Sequence, residues 1–369
     1  MAALSQRARI AIVGTLGAAG AFFMFGGLGT FAGSGPSEPE AAVPKNTFLY
    51  ASVNYADLRK SPLHDVLFND KSEIVDRRAL GITRLADACG FDPLTRVERL
   101  AVAVPEDGEK GEIGVAARVT VTKDELQRCT TALAEKRGAK AESKDMHGFS
   151  VIEAGGASVG YGHDLLVAGK GGWFETMLAT ADGKKPSAKE ADAHVSIRRD
   201  LTSRAGWATP TVLVSALLPR PLRDRIKNEM SGEVDGRDSA QNAMAGVLGV
   251  SAVGFALRAG STSTSTELAA ELVCDSEDAC SGVEKLVGKK RFEWSKELSL
   301  RMVGLGPRLD SITIKREGTK LLITAGAPAE ALAVTLDRVL RLRRARSEPP
   351  PPTPLPPPRK PDEQIPAQP

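Results

Sequence analysis

The sequence is poor in the residue groupings that usually announce an activity. Its four histidines, His64, His147, His163 and His194, stand apart with no shared motif. No H-x-x-x-H and no C-x-x-C spacing occurs, so nothing reads as a zinc site, and no metal or cofactor is expected. An S-x-x-K pair is also absent. Gly169-Lys170-Gly171-Gly172 lacks the spacing of a phosphate-binding loop and reads as a strand-to-helix turn. The carboxylate pairs Asp124 and Glu125, and Glu277 and Asp278, fall at predicted helix starts, where the helix dipole accounts for them. His147 and His163 flank one predicted hairpin region; with that single relation between them, they read as loop histidines. No catalytic residue is assigned.

A strong charge bias is also missing. The formal net charge is +3 over 369 residues, and Arg7 and Arg9 supply two of those charges. A nucleic-acid partner would call for a concentrated basic face, so none is expected. The one dense cluster, Arg338, Arg341, Arg343, Arg344 and Arg346, closes a predicted helix, where cations complement the dipole. Aromatics are few, with three Trp, three Tyr and eleven Phe, which points to a core of Val, Leu and Ala.

What is present begins with an uncharged run from Ile10 to Gly33. As a helix it is long enough to cross a hydrocarbon core of about 30 Å. Arg7 and Arg9 precede it while Glu38 and Glu40 follow, so the N-terminus is expected in the cytoplasm and the bulk outside. Thr30-Phe31-Ala32 offers a cleavage site, which would release the rest of the chain, but the length favours a retained anchor. The sequence then divides into residues 1–9 in the cytoplasm, a transmembrane anchor at 10–33, a Pro-rich linker at 34–46, α+β units at 47–206 and 207–346, and a tail at 347–369.

The four cysteines, Cys89, Cys129, Cys274 and Cys280, would face an oxidising space on this topology. Pairing Cys89 with Cys129 and Cys274 with Cys280 keeps each bond within one unit. Buried free thiols are the alternative, because Cys129 shares a helical face with Leu126 and Leu133, and Cys274 a strand face with Leu268, Ala270 and Leu272.

The two units repeat. Leu100, Val102 and Val104 fall without a gap on Val253, Phe255 and Leu257, and Val115, Ala117, Val119 and Val121 on Leu268, Ala270, Leu272 and Cys274. The capping box Thr122-x-x-Glu125 falls on Asp275 and Asp278. Leu165, Leu166 and Val167 then match Leu321, Leu322 and Ile323 at a slightly longer spacing. The fold class expected is α+β: two tandem duplicated units with largely antiparallel sheets, after one N-terminal transmembrane helix.

The opening Val43 to Ser61, with its V-P-x-x-T-F-L-Y-A strand, and the layout of 100–136 and 253–289 resemble uncharacterised membrane-anchored bacterial envelope proteins of the DUF3352 kind. That resemblance implies an envelope location and this fold class, and it implies no activity.

From Ser347 the chain becomes Pro-rich and is expected to be a disordered, extended polyproline segment. Pro354-x-x-Pro357-x-Arg359 fits the pattern read by SH3-type grooves, but proline runs produce such matches freely, and a simple spacer or wall-reaching rod is the preferred reading. The expected function is a non-catalytic envelope binding module, whose partners are the membrane through residues 10–33 and an envelope protein. An enzyme or small-ligand receptor with a site between the halves, and a passive spacer, are the other two readings.

Overall fold

The computed structural model describes residues 38–68, 86–105, 112–136, 142–224 and 248–347, except single positions at 88, 155, 208, 262 and 303. The expected anchor at 10–33 and the motif Pro354, Pro357 and Arg359 lie outside these residues. Among the described residues, no helix is long and apolar enough to cross a membrane.

The fold is α+β, built on one antiparallel sheet of twelve strands. In chain order these are β1 (Thr47–Asn54), β2 (Val97–Pro105), β3 (Gly114–Val119), β4 (Glu142–Met146), β5 (Phe149–Ala154), β6 (Ala157–Gly162), β7 (Leu165–Gly169), β8 (Val212–Leu217), β9 (Val250–Arg258), β10 (Ser265–Cys274), β11 (Thr313–Glu317) and β12 (Lys320–Pro328). Across the sheet they run β11-β12-β10-β9-β8-β1-β2-β3-β7-β6-β5-β4. The two expected units therefore share a single sheet, joined where Ala51 of β1 faces Val214 of β8. Outward from this seam, β1, β2, β3, β7 and β6 occupy the same places as β8, β9, β10, β12 and β11.

The pairing corrects the residue matches. Leu100 and Leu166 both lie opposite Ala117. Val253 and Leu321 both lie opposite Leu272. The place of Ala117 is thus taken by Leu272 rather than Ala270, and the residue on the face of Leu321 is Leu166 rather than Leu165. Strand side chains alternate between faces, so a match off by one residue lands on the wrong side.

The helices include α1 (Tyr55–Leu58), α2 (Pro62–Phe68), α3 (Pro93–Arg96), α4 (Lys123–Lys136), α5 (Gly171–Ala181), α6 (Asp192–Ala205), α7 (Glu277–Lys296), α8 (Leu298–Met302), α9 (Gly306–Asp310) and α10 (Ala329–Ser347). On one face, Leu126 and Cys129 of α4 pack on Leu100, Val102, Val115 and Ala117, and Cys280 and Val283 of α7 on Val253, Leu272 and Leu321. On the other, Trp173, Phe174, Met177 and Leu178 of α5 cover Phe149, Leu165 and Val167, and Ile197 and Leu201 of α6 cover Ala252, Ala256 and Ala269. Full burial of each large side chain stabilises by roughly 1.5–3 kcal/mol. Fully buried alanines at 101, 103, 116, 256 and 269 let α5 and α6 sit close to the strands. At Gly254 the approach is closest, since a Cβ there would lie 2.5 Å from Leu201 Cδ1 and 2.8 Å from Ile197 Cγ1.

Two local expectations change and a third holds. Residues 38–46 are packed rather than a free linker: Pro39–Ala42 forms a 3-10 turn, Ala42 and Val43 are fully buried, and Pro44 bridges to Ser187. Thr122 and Glu125 form the expected capping box, with Thr122 N–H donating to Glu125 Oε2 at 2.8 Å and Glu125 N–H to Thr122 Oγ1 at 3.3 Å. In the second half the cap is Ser276, which accepts from Ala279 N–H at 3.2 Å, while Asp275 takes the guanidinium of Arg223.

Candidate functional site

At the seam between the halves, β1 pairs with β8. Helix α6 crosses it and presents His194 and Arg198, four residues apart and therefore on one helix face. His194 is fully buried; its Nε2 lies 2.8 Å from Thr47 O and its Nδ1 2.8 Å from Ser215 Oγ. A carbonyl only accepts, so Nε2 carries the proton and Nδ1 accepts from the Ser215 hydroxyl. Burial, reinforced by Arg198, holds the imidazole below its ordinary pKa, against the opposing hydrogen bond to Thr47. Arg198 lies 3.7 Å over the Tyr50 ring and donates to Leu213 O at 3.1 Å, Tyr50 O at 3.3 Å, and Ser52 Oγ. Burial raises the Tyr50 phenol and lowers the guanidinium. Ser215 and His194 have the elements of a nucleophile and base, yet both are fully buried. They clamp the two halves together, His194 bonding to Thr47 of the first and Ser215 of the second.

His147 and His163 do converge, at the outer end of the first half. Each occupies the first position of a two-residue hairpin turn, β4 to β5 and β6 to β7, with φ of 52° and 54°. Such turns need positive φ at both central positions, which Gly148 and Asp164 supply at 75° and 59°. His147 Nδ1 and His163 Nε2 each lie 3.9 Å from Asp182, just past the end of α5, and Lys184 binds the same carboxylate at 2.6 Å. Asp182 is thus already neutralised by Lys184, and no three such groups among the described residues are arranged to hold a metal. This cluster joins two turns to one helix end.

The other sequence-derived positions are structural. Cys89 is bonded to Cys129 and Cys274 to Cys280. Arg338 begins the last turns of α10. Asp124, Glu125, Glu277 and Asp278 all lie in first helical turns. Gly156-Ala157-Ser158-Val159-Gly160 has the spacing of a nucleophile elbow. That elbow requires a strand-to-helix turn. Here Ser158 sits within strand β6, opposite Gly169 and Glu153, and its hydroxyl faces Glu153 at 3.4 Å.

The surface feature that sequence reasoning missed lies at the end of α7. Phe292, Trp294, Leu298 and Met302 are 62%, 51%, 72% and 75% exposed. Trp294 continues the stripe of Cys280 and Val287 at seven-residue steps, which nearly repeat the helical position. Cys280 is fully buried and Val287 is packed against the core, so the stripe leaves the core at its last turns. The heptad spacing was readable in the sequence; the place where the core ends was not.

No protein family model matches the sequence, and no curated protein matches it. Among solved structures the chain is similar to TP0453 in crystal form I, at 13% identity and a TM-score of 0.40, and in crystal form III, at 14% and 0.43. Each alignment covers 82% of this chain and 98% of the other. A likeness this distant assigns no function.

Proposed function

We propose that this protein is a membrane-held, non-catalytic binding module of the cell envelope. In this reading residues 10–33 anchor it, the duplicated α+β sheet is a rigid platform, and the exposed ridge of Trp294, Leu298 and Met302, flanked by Phe292, is its docking surface. The ridge carries the reading. A group of large exposed apolar side chains within eleven residues stands out in a described chain whose exposed large hydrophobics otherwise are Val195, Phe255 and Val334. The commitment of His194 to Thr47 and Ser215 supports a structural rather than a chemical use of the most buried polar group at the seam.

A photo-reactive residue placed at Met302 in intact cells should give an adduct with a protein or a lipid, whereas one at Lys144, on the outer edge of β4, should give none. The reading fails if Met302 yields nothing, or if both positions react alike.

A further inference from the structure

We infer that the ridge at the end of α7 docks on an anionic lipid surface, an inference that rests on the reading of this ridge as the docking surface.

Part of the ridge is surplus to the fold. In the first half the helix after β3 is α4, described over Lys123–Lys136, and the next described element is strand β4 from Glu142. Its counterpart α7 (Glu277–Lys296) is followed by two more helices, α8 and α9, before β11. The sheet of the first half forms without a counterpart of α8, which in the second half carries the exposed Leu298 and Met302.

Charge selects the occupant. From Lys289 to Met302 the sequence has five cations, Lys289, Lys290, Arg291, Lys296 and Arg301, against two carboxylates, Glu293 and Glu297. Lys289 and Lys290 share Glu293, while Lys296 lies 5.4 Å over the Phe292 ring and is exposed with it. A second copy would bring the same excess of positive charge against itself, which disfavours a dimer through this patch. An anionic headgroup layer is the complementary surface. Trp and Leu side chains beside Lys and Arg are what an interfacial contact requires: Trp294 and Leu298 enter the acyl boundary while the cations remain among the headgroups. Met302 and Leu298, four residues apart on α8, present one shared face for the same purpose.

Trp294 supplies its own probe. Trp173 and Trp207 are already buried, at 5% and 7% exposure, so the emission that responds to a new environment is that of Trp294. The full chain is reconstituted in vesicles of phosphatidylcholine, alone or mixed with phosphatidylglycerol, and its emission is compared with that of Trp294→Phe. The expected result is a blue shift and quenching by brominated acyl chains in the anionic vesicles, absent from Trp294→Phe and lost in Leu298→Ser/Met302→Ser. Lys296→Glu/Arg301→Glu should weaken the lipid-facing population at least about tenfold, since each cation at an anionic surface is worth about fivefold. Equal shifts in both vesicle types, or none in either, overturn the inference. A shift that appears without lipid and grows with protein concentration identifies a second copy and overturns it as well. If the probe at Met302 captures a protein while the vesicles give no shift, the binding-module reading stands and the lipid surface falls.

Discussion

Replacing His194 is the sharpest test of how the seam is held. His194→Ala leaves Thr47 O and the Ser215 hydroxyl without their partner in a fully buried place. Each such group costs about 1–3 kcal/mol, so the loss should be about 2–6 kcal/mol. His194→Gln retains a donor at the outer position and can keep the bond to Thr47 O; its cost should be about 1–3 kcal/mol. The pH dependence separates a buried neutral imidazole from mere packing. Burial first, and then Arg198, lower the folded pKa below the ordinary value of 6.5, while the Thr47 bond opposes them. Below that value the unfolded chain binds the proton more readily than the folded one. The contribution of His194 is therefore complete above the unfolded pKa and is lost as pH falls through it, at up to about 1.4 kcal/mol per pH unit. Guanidinium unfolding, followed by tryptophan fluorescence between about pH 5 and 7.5, should show a steeper decline in the wild type than in His194→Gln. His64, His147 and His163 are common to both proteins and cancel in the difference. Parallel pH profiles, or a His194→Ala variant as stable as the wild type, would refute the tautomer and the clamp together.

Gly254→Ala should lift α6 from the sheet, because the new methyl meets Leu201 and Ile197 at 2.5 and 2.8 Å; a loss of about 1–3 kcal/mol in a denaturant titration is expected. The two disulfides should differ in worth: by loop-closure entropy the Cys89–Cys129 bond, spanning 40 residues, stabilises by about 4 kcal/mol, and the Cys274–Cys280 bond, spanning 6, by about 2 kcal/mol. Paired serine variants compared by the same titration would contradict this account if the order were reversed.

Alternation of apolar residues made β2, β3, β9 and β10 legible, and the capping box at Thr122 fixed the start of α4 within a residue. The slip at Leu165 arose because Leu165, Leu166 and Val167 are all buried, each side of β7 being covered by helices. A continuous apolar run has no period from which to read a face. Hairpin β4–β5 escaped notice for the opposite reason: Glu142, Ser143, Lys144 and Asp145 are all exposed at the sheet's edge, where charge protects against strand addition and hides the strand signal. The pairing of β1 with β8 joins residues 159 to 167 positions apart, and no local pattern encodes it. The ridge combined a visible heptad with an invisible fact, namely where the sheet stops supporting α7.

The antiparallel contact between β1 and β8 brings two like strand edges together. Each is the first strand of its half, and each lies at the inner border of an equivalent order of strands. Two equal edges that meet antiparallel are self-complementary, the geometry of an isologous twofold interface. Taken alone, either half would present this border as a bare strand edge, and a like edge paired as Ala51 pairs with Val214 would cover it. Covering each other within one chain leaves the two outer ends free to differ, one carrying a hairpin tipped by His147 and the other the helices after β10.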